Sequence, residues 1–133
     1  MYALGDRLNK QRMGIIKRMR KVIIFGTGLY GKQALQFFTR ENVMFWTDNN
    51  EELHGKLIEG IEVIQPSELK KYLNECVIVI AAKPEFFNQI KYQLNEEYGI
   101  EMALNYSFLK SYINDSGLSV GEFLNICREK NIY

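Results

Sequence analysis

Lys21-Val-Ile-Ile-Phe25, followed at once by Gly26-Thr-Gly-Leu-Tyr-Gly31, is the stretch on which the fold turns. The first part is a short, apolar, β-branched run, which suits a strand buried on both faces. The second part breaks the strand with the spacing G-x-G-x-x-G, and Lys32–Arg40 then reads as a helix with Ala34, Leu35 and Phe38 facing inward. In a strand–turn–helix setting each glycine has its own task. Gly26 permits the tight turn, Gly28 lets the main chain approach a pyrophosphate, and Gly31 lets the helix pack closely on the strand. The N–H groups at the helix start, with the helix dipole behind them, form an anion site that includes Thr27, Leu29 and Tyr30.

Outward from this unit, strands are expected at Val43–Thr47, Ile61–Ile64 and Val77–Ala81, with a weaker one near Met102–Tyr106. Helices are expected from Pro66 to about Leu73 and from Pro84 to Tyr98, the latter with Phe87, Ile90, Leu94 and Tyr98 as its inner stripe and Gly99 as its stop. Ser119-Val-Gly-Glu122 has the spacing of a capping box that opens a last helix. Strands alternating with helices predict an α/β fold: a three-layer, doubly wound, mostly parallel sheet of about five strands, Rossmann-like, with extra N- and C-terminal helices. The expected divisions are a basic amphipathic helix at 1–20, a nucleotide-binding domain at 21–110 and a helical tail at 111–133.

A chain of 133 residues fits one domain, and 47% hydrophobic residues exclude a disordered chain. No run reaches the 18 or so apolar residues of a membrane span, and the charged N-terminus lacks a signal-peptide core. Two cysteines without a CxxC pair point to reduced thiols in a cytoplasm, and a single His54 leaves zinc short of ligands. The net charge of +1 argues against nucleic acid as a partner. That charge is unevenly placed: Met1–Lys21 holds seven basic residues and one acid, and the remainder of the chain is negative. Leu4, Leu8, Ile15 and Met19 share a helical face there, so the segment reads as a helix packed on the domain, or as a contact for self-association or an acidic partner.

The second half of a dinucleotide fingerprint is an acid about 20 residues on, at the end of the second strand. Asp48 meets it, placed to accept both hydroxyls of an adenosine ribose and to repel the 2′-phosphate of NADP, which favours NAD. The alternative is a plain Asp-Asn-Asn turn. Gly26–Lys32 also fits the core of a P-loop, but Gln33 stands where a magnesium-binding Ser or Thr is needed. A methyltransferase pattern G-x-G-x-G is interrupted by Tyr30.

With the glycine turn, Asp48-Asn49-Asn50 and the string Gly55-Lys56 … Gly60-Ile-Glu-Val-Ile-Gln-Pro66 in place, Lys21 to Phe108 resembles the NAD-binding-like Rossmann domains associated with bacterial capsule and lipopolysaccharide biosynthesis. Such domains accompany nucleotide-sugar dehydratases, sugar methyltransferases and sugar acyltransferases. The resemblance implies a nucleotide pocket at the carboxyl ends of the first, second and fourth strands, formed by Gly26–Gly31, Asp48, Asn49 and Ala81-Ala82-Lys83. It implies NAD or a nucleotide sugar as ligand and a bacterial, cytoplasmic setting. Many relatives carry small hydroxyl residues where this chain has Lys83-Pro84.

Chemistry is harder to find. Tyr106 and Lys110 match the Tyr-x-x-x-Lys pair of short-chain dehydrogenases, but they lie too near the glycine turn, in an expected strand-to-loop region. His54 sits in a polar loop with no acid partner and reads as exposed, while Trp46 reads as packing. The tail after Leu109 is too short for a substrate domain. The expectation is therefore a nucleotide-binding module without catalytic residues, serving surface-polysaccharide synthesis beside a partner enzyme. Two alternatives are a nucleotide-sugar-modifying enzyme whose site is completed by a homodimer, and a ligand-free scaffold that docks a partner protein.

Overall fold

The structure, a computed structural model, describes residues 21–129. The basic segment at 1–20 lies outside the described residues. Six strands run β1 (Lys21–Phe25), β2 (Val43–Thr47), β3 (Leu57–Ile58), β4 (Ile61–Ile64), β5 (Cys76–Ile80) and β6 (Leu104–Asn105). The helices are α1 (Leu29–Phe38), α2 (Pro84–Tyr98), α3 (Tyr106–Ser116) and α4 (Val120–Glu129), and a 3-10 segment spans Pro66–Tyr72.

The sheet order is β3-β4-β2-β1-β5-β6, with every pairing parallel except β3 with β4. Leaving out β3, the strands in chain order stand 3-2-1-4-5 in space, the arrangement of a doubly wound Rossmann-like sheet. Valines and isoleucines bury both faces of β1 and β5. Val22, Ile24, Val77 and Val79 meet Ala34 and Phe38 of α1, Tyr106 and Ile113 of α3, and Leu124 of α4. Ile23, Ile78 and Ile80 meet Leu69 of the 3-10 segment and Leu94 of α2. Three layers result, and the switch point of the sheet falls between β1 and β5, which leave in opposite directions.

Two local features depart from expectation. The sheet has six strands because Leu57–Ile58, inside an apparently polar loop, turns back onto β4 through Glu59-Gly60, both at positive φ (55° and 78°). That two-residue turn matches the twist of the flanking strands, and Trp46 Nε1 donates to Ile58 O at 2.9 Å to pin the hairpin down. The short helix expected from Pro66 forms over Pro66–Tyr72, as a 3-10 segment. Tyr106 begins a helix instead of a strand-to-loop passage, because the Asn105 side chain accepts from Phe108 N at 3.1 Å and caps it. The capping box at the last helix forms as read: Glu122 N donates to Ser119 Oγ at 3.0 Å, and Ser119 N to Glu122 Oε1 at 2.8 Å.

Candidate functional site

The glycine turn leaves β1 at the carboxyl edge of the sheet, held between its two neighbours. Gly26 N donates to Thr47 O at 2.9 Å, and Ala81 N donates to Phe25 O at 2.9 Å. Gly26 has φ of +116°, and a Cβ there would come within 2.5 Å of Ala81 O. Both facts require glycine. Gly31 is buried in the first turn of α1, where a Cβ would meet Gly26 O. Gly28 is different: a Cβ there would find nothing within 4 Å. It is the N-cap of α1, with no side-chain cap and no acidic residue in the first turn. The helix therefore starts at Leu29, three residues earlier than its apolar pattern indicates, and its first N–H groups open onto accessible space beside Gly28.

Asp48 has two tasks already. Its Oδ2 accepts from Thr27 N at 3.1 Å and from Thr27 Oγ1 at 2.8 Å, while Oδ1 accepts from Asn50 N at 3.0 Å. The carboxylate thus clamps the glycine turn to the end of β2. A hydroxyl at the second turn position is what makes this clamp, a pairing invisible in a spacing rule that assigns the acid to a ribose. The structure brings Gly26–Gly31, Asp48 and Ala81 together. Ala82 is half-buried, and Lys83 is exposed at the N-cap of α2 without capping it. Asn49 turns the other way, exchanging two hydrogen bonds with Gln93 of α2 at 2.9 and 2.8 Å.

Beyond Asn49 lies a cavity of about 520 Å³, walled by Glu51 and His54 after β2, Gln65 and Ser67 after β4, and Glu97 and Tyr98 of α2. None of these side chains stood out as a ligand contact in the sequence, since they come from three separate segments. His54 is half-buried rather than exposed, its Nε2 donating to Asp48 O at 2.7 Å. Burial pushes the Tyr98 hydroxyl up from its ordinary pKa of 10.0, and the Glu97 charge and hydrogen bond add to the rise against an opposing hydrogen bond from Gln93. Among the described residues, no group of three or more His, Cys, Asp or Glu is placed to hold a metal ion. Among them also, no helix is long and apolar enough to cross a membrane.

Compared with known families, residues 18–103 match C2185-like, N-terminal. The chain belongs to the C2185-like family. No curated protein matches its sequence. The C2185-like chain is similar to crystal structures of RSP, a Rex-family repressor. Free RSP is 16% identical with a TM-score of 0.47, the match covering 84% of this chain and 65% of RSP. RSP in complex with beta-NAD+ and operator DNA is 17% identical with a TM-score of 0.49, covering 84% and 62%. RSP with beta-NADH is 16% identical with a TM-score of 0.47, covering 84% and 68%. The C2185-like chain therefore spans under two thirds of the first two RSP chains.

These findings correct one expectation and leave another without support. Nucleic acid was excluded as a partner on overall charge, and that exclusion falls, because RSP is found on operator DNA. Net charge averages over a whole chain and is silent about a separate basic segment or a further domain. Neither the C2185-like family description nor these three RSP structures carry the surface-polysaccharide association that the resemblance implied.

Proposed function

We propose that this chain is a nucleotide-binding module that holds a diphosphate on the glycine turn, with NAD(H) or a nucleotide sugar as the ligand. The observation that carries this reading is the open N-terminus of α1, where Gly28 leaves a Cβ-sized approach to unpartnered first-turn N–H groups. Gly26, Thr27, Gly28, Leu29, Tyr30 and Gly31 would cradle the phosphates. Asp48 stands at the place of a ribose-binding acid and disfavours the extra phosphate of NADP, while Asn49, Ala81, Ala82 and Lys83 border the ligand. A ligand-free scaffold is the rival reading, favoured by the Asp48 carboxylate already having partners in Thr27 and Asn50.

Thermal unfolding against NAD, NADH, NADP and UDP-sugars separates the two. A ligand at 100 times its Kd adds about 2.7 kcal/mol of stability. Gly28→Val should leave cooperative unfolding intact, since a Cβ there meets nothing, yet abolish the shift. No shift with any nucleotide in the parent would establish the scaffold reading instead.

A further inference from the structure

Beside β6, α3 and α4 carry an apolar groove of about 330 Å³, walled by Leu104, Phe108, Tyr112, Leu118 and Ile126. Phe108 is 74% exposed and Tyr112, one helical turn on, is 53% exposed. Met102 and Ile126 are exposed on the same groove. Four of the eight large apolar side chains exposed among the described residues thus gather at one place, which marks a contact surface rather than scattered exposure. The rim is acidic. From Glu101 to Cys127 the chain carries Glu101, Asp115 and Glu122 against a single base, Lys110. Asp115 shares the helical face of Tyr112, and Glu122 that of Ile126. Lys110 falls on the opposite face of α3 with Tyr106, its Nζ 6.0 Å from that ring's centroid. Among the described residues, no lysine or arginine lines the groove.

Residues 1–20, outside the described residues, carry the complementary chemistry in their sequence. Leu4, Leu8, Ile15 and Met19 recur at helical spacing, Lys10 and Lys17 fall opposite them, and six bases stand against the one acid Asp6. The segment also joins the domain close to the groove. Ile24 of β1 pairs with Val79 of β5, which pairs with Leu104 of β6. Leu104 is therefore two strand spacings, about 10 Å, from β1, whereas twenty residues extend over about 30 Å even when fully helical. We propose that residues 1–20 of this same chain lie in the groove as an amphipathic helix, the apolar face on Phe108 and Tyr112 and the basic flanks toward Glu101, Asp115 and Glu122. The tether favours this occupant over a second copy or another protein, because a segment joined to β1 meets the groove at an effective concentration of about millimolar. The assignment is independent of the glycine turn and holds whether or not a nucleotide binds.

Nuclear magnetic resonance of the isotope-labelled full chain with a nitroxide attached through Lys10→Cys tests this, since Lys10 falls away from the apolar face and both native thiols are buried. Relative to the reduced label, the amide signals of Leu104, Phe108, Tyr112 and Ile126 should be lost. Those of Leu57 and Ile58 should persist, because β3 is at the opposite edge of the sheet, five strand spacings or about 24 Å from β6. Adding Leu4→Asp/Leu8→Asp, which leaves every core residue of the sheet and its helices in place, should restore the groove signals. Groove signals that persist beside the nitroxide, or that stay lost in Leu4→Asp/Leu8→Asp, would overturn the proposal. A mixture of nitroxide-bearing chains with separate isotope-labelled chains should leave the groove signals intact. Their loss in that mixture would give the groove to the segment of a second copy and overturn the assignment to the chain's own.

Discussion

Replacing Gly31 by alanine sets two effects of opposite sign against each other. In an exposed helix interior, alanine is favoured over glycine by about 1 kcal/mol. At this position, though, a Cβ would lie 2.0 Å from Gly26 O, 2.8 Å from Gly26 C and 3.2 Å from Trp46 Cζ3. Real Cβ atoms essentially never come within 3.0 Å of another heavy atom, so α1 or the turn must move by about 1 Å. The turn has nowhere to go. Gly26 is tied to Thr47 O through its N–H, and Ala81 O stands where its Cβ would be. Overpacking typically costs about 1–3 kcal/mol, and a backbone atom that cannot swing aside belongs at the upper end. Less the propensity gain, the net loss is about 2 kcal/mol, or some 8 °C in Tm for a domain near this size. Urea unfolding followed by circular dichroism measures it, with Gly28→Ala as the control that should cost at most about 1 kcal/mol as a poorer N-cap. A Gly31→Ala protein as stable as the parent would refute the seating of α1 on the glycine turn.

Other outcomes follow from single contacts. Thr47 Oγ1 is buried with no hydrogen-bond partner, so Thr47→Val should raise stability by about 1 kcal/mol; a loss in the same unfolding assay would mean the hydroxyl has a partner after all. Asp48→Ala removes the acceptor of both Thr27 bonds and should cost about 1–3 kcal/mol of stability even without ligand. A purely ligand-directed Asp48 would instead change affinity alone. Ser119→Ala should cost about 1 kcal/mol through the lost cap, and unchanged stability would show that α4 contributes nothing to the cooperative unit.

The parts of this molecule that were legible in the sequence are those where one local rule governs. The β1 run after Lys21 and the whole of β5 are apolar because helices cover both faces, and such runs announce themselves. Ser119 and Glu122 cap each other at a fixed spacing, so their motif is readable without any tertiary knowledge. Leu57–Ile58 failed that test because two residues show no period, and the signal present was Glu59-Gly60 as a tight turn. Tyr106 to Lys110 reads as a passage from strand to loop, whereas the deciding residues are Asn105, which caps a helix there, and Gly117, which ends it. At the site, spacing located Asp48 but not its partner. Which groups satisfy a carboxylate depends on where Thr27 comes to rest, and the cavity wall assembled from Glu51, Gln65 and Glu97 exists only once three segments have met.

The outermost strands at either side of the sheet, β3 and β6, are two residues each. A strand that short exposes too few open N–H and C=O groups to template the addition of a foreign strand. Three of the four inner strands, β1, β4 and β5, are by contrast rich in valine and isoleucine, a composition of high β-propensity that is prone to stacking between chains when left bare. This architecture thus keeps its stickiest segments inside and ends before an edge becomes long enough to copy. Lengthening β6 by extending the regular pairing beyond Asn105 would be the change most apt to turn this fold into a seed for assembly.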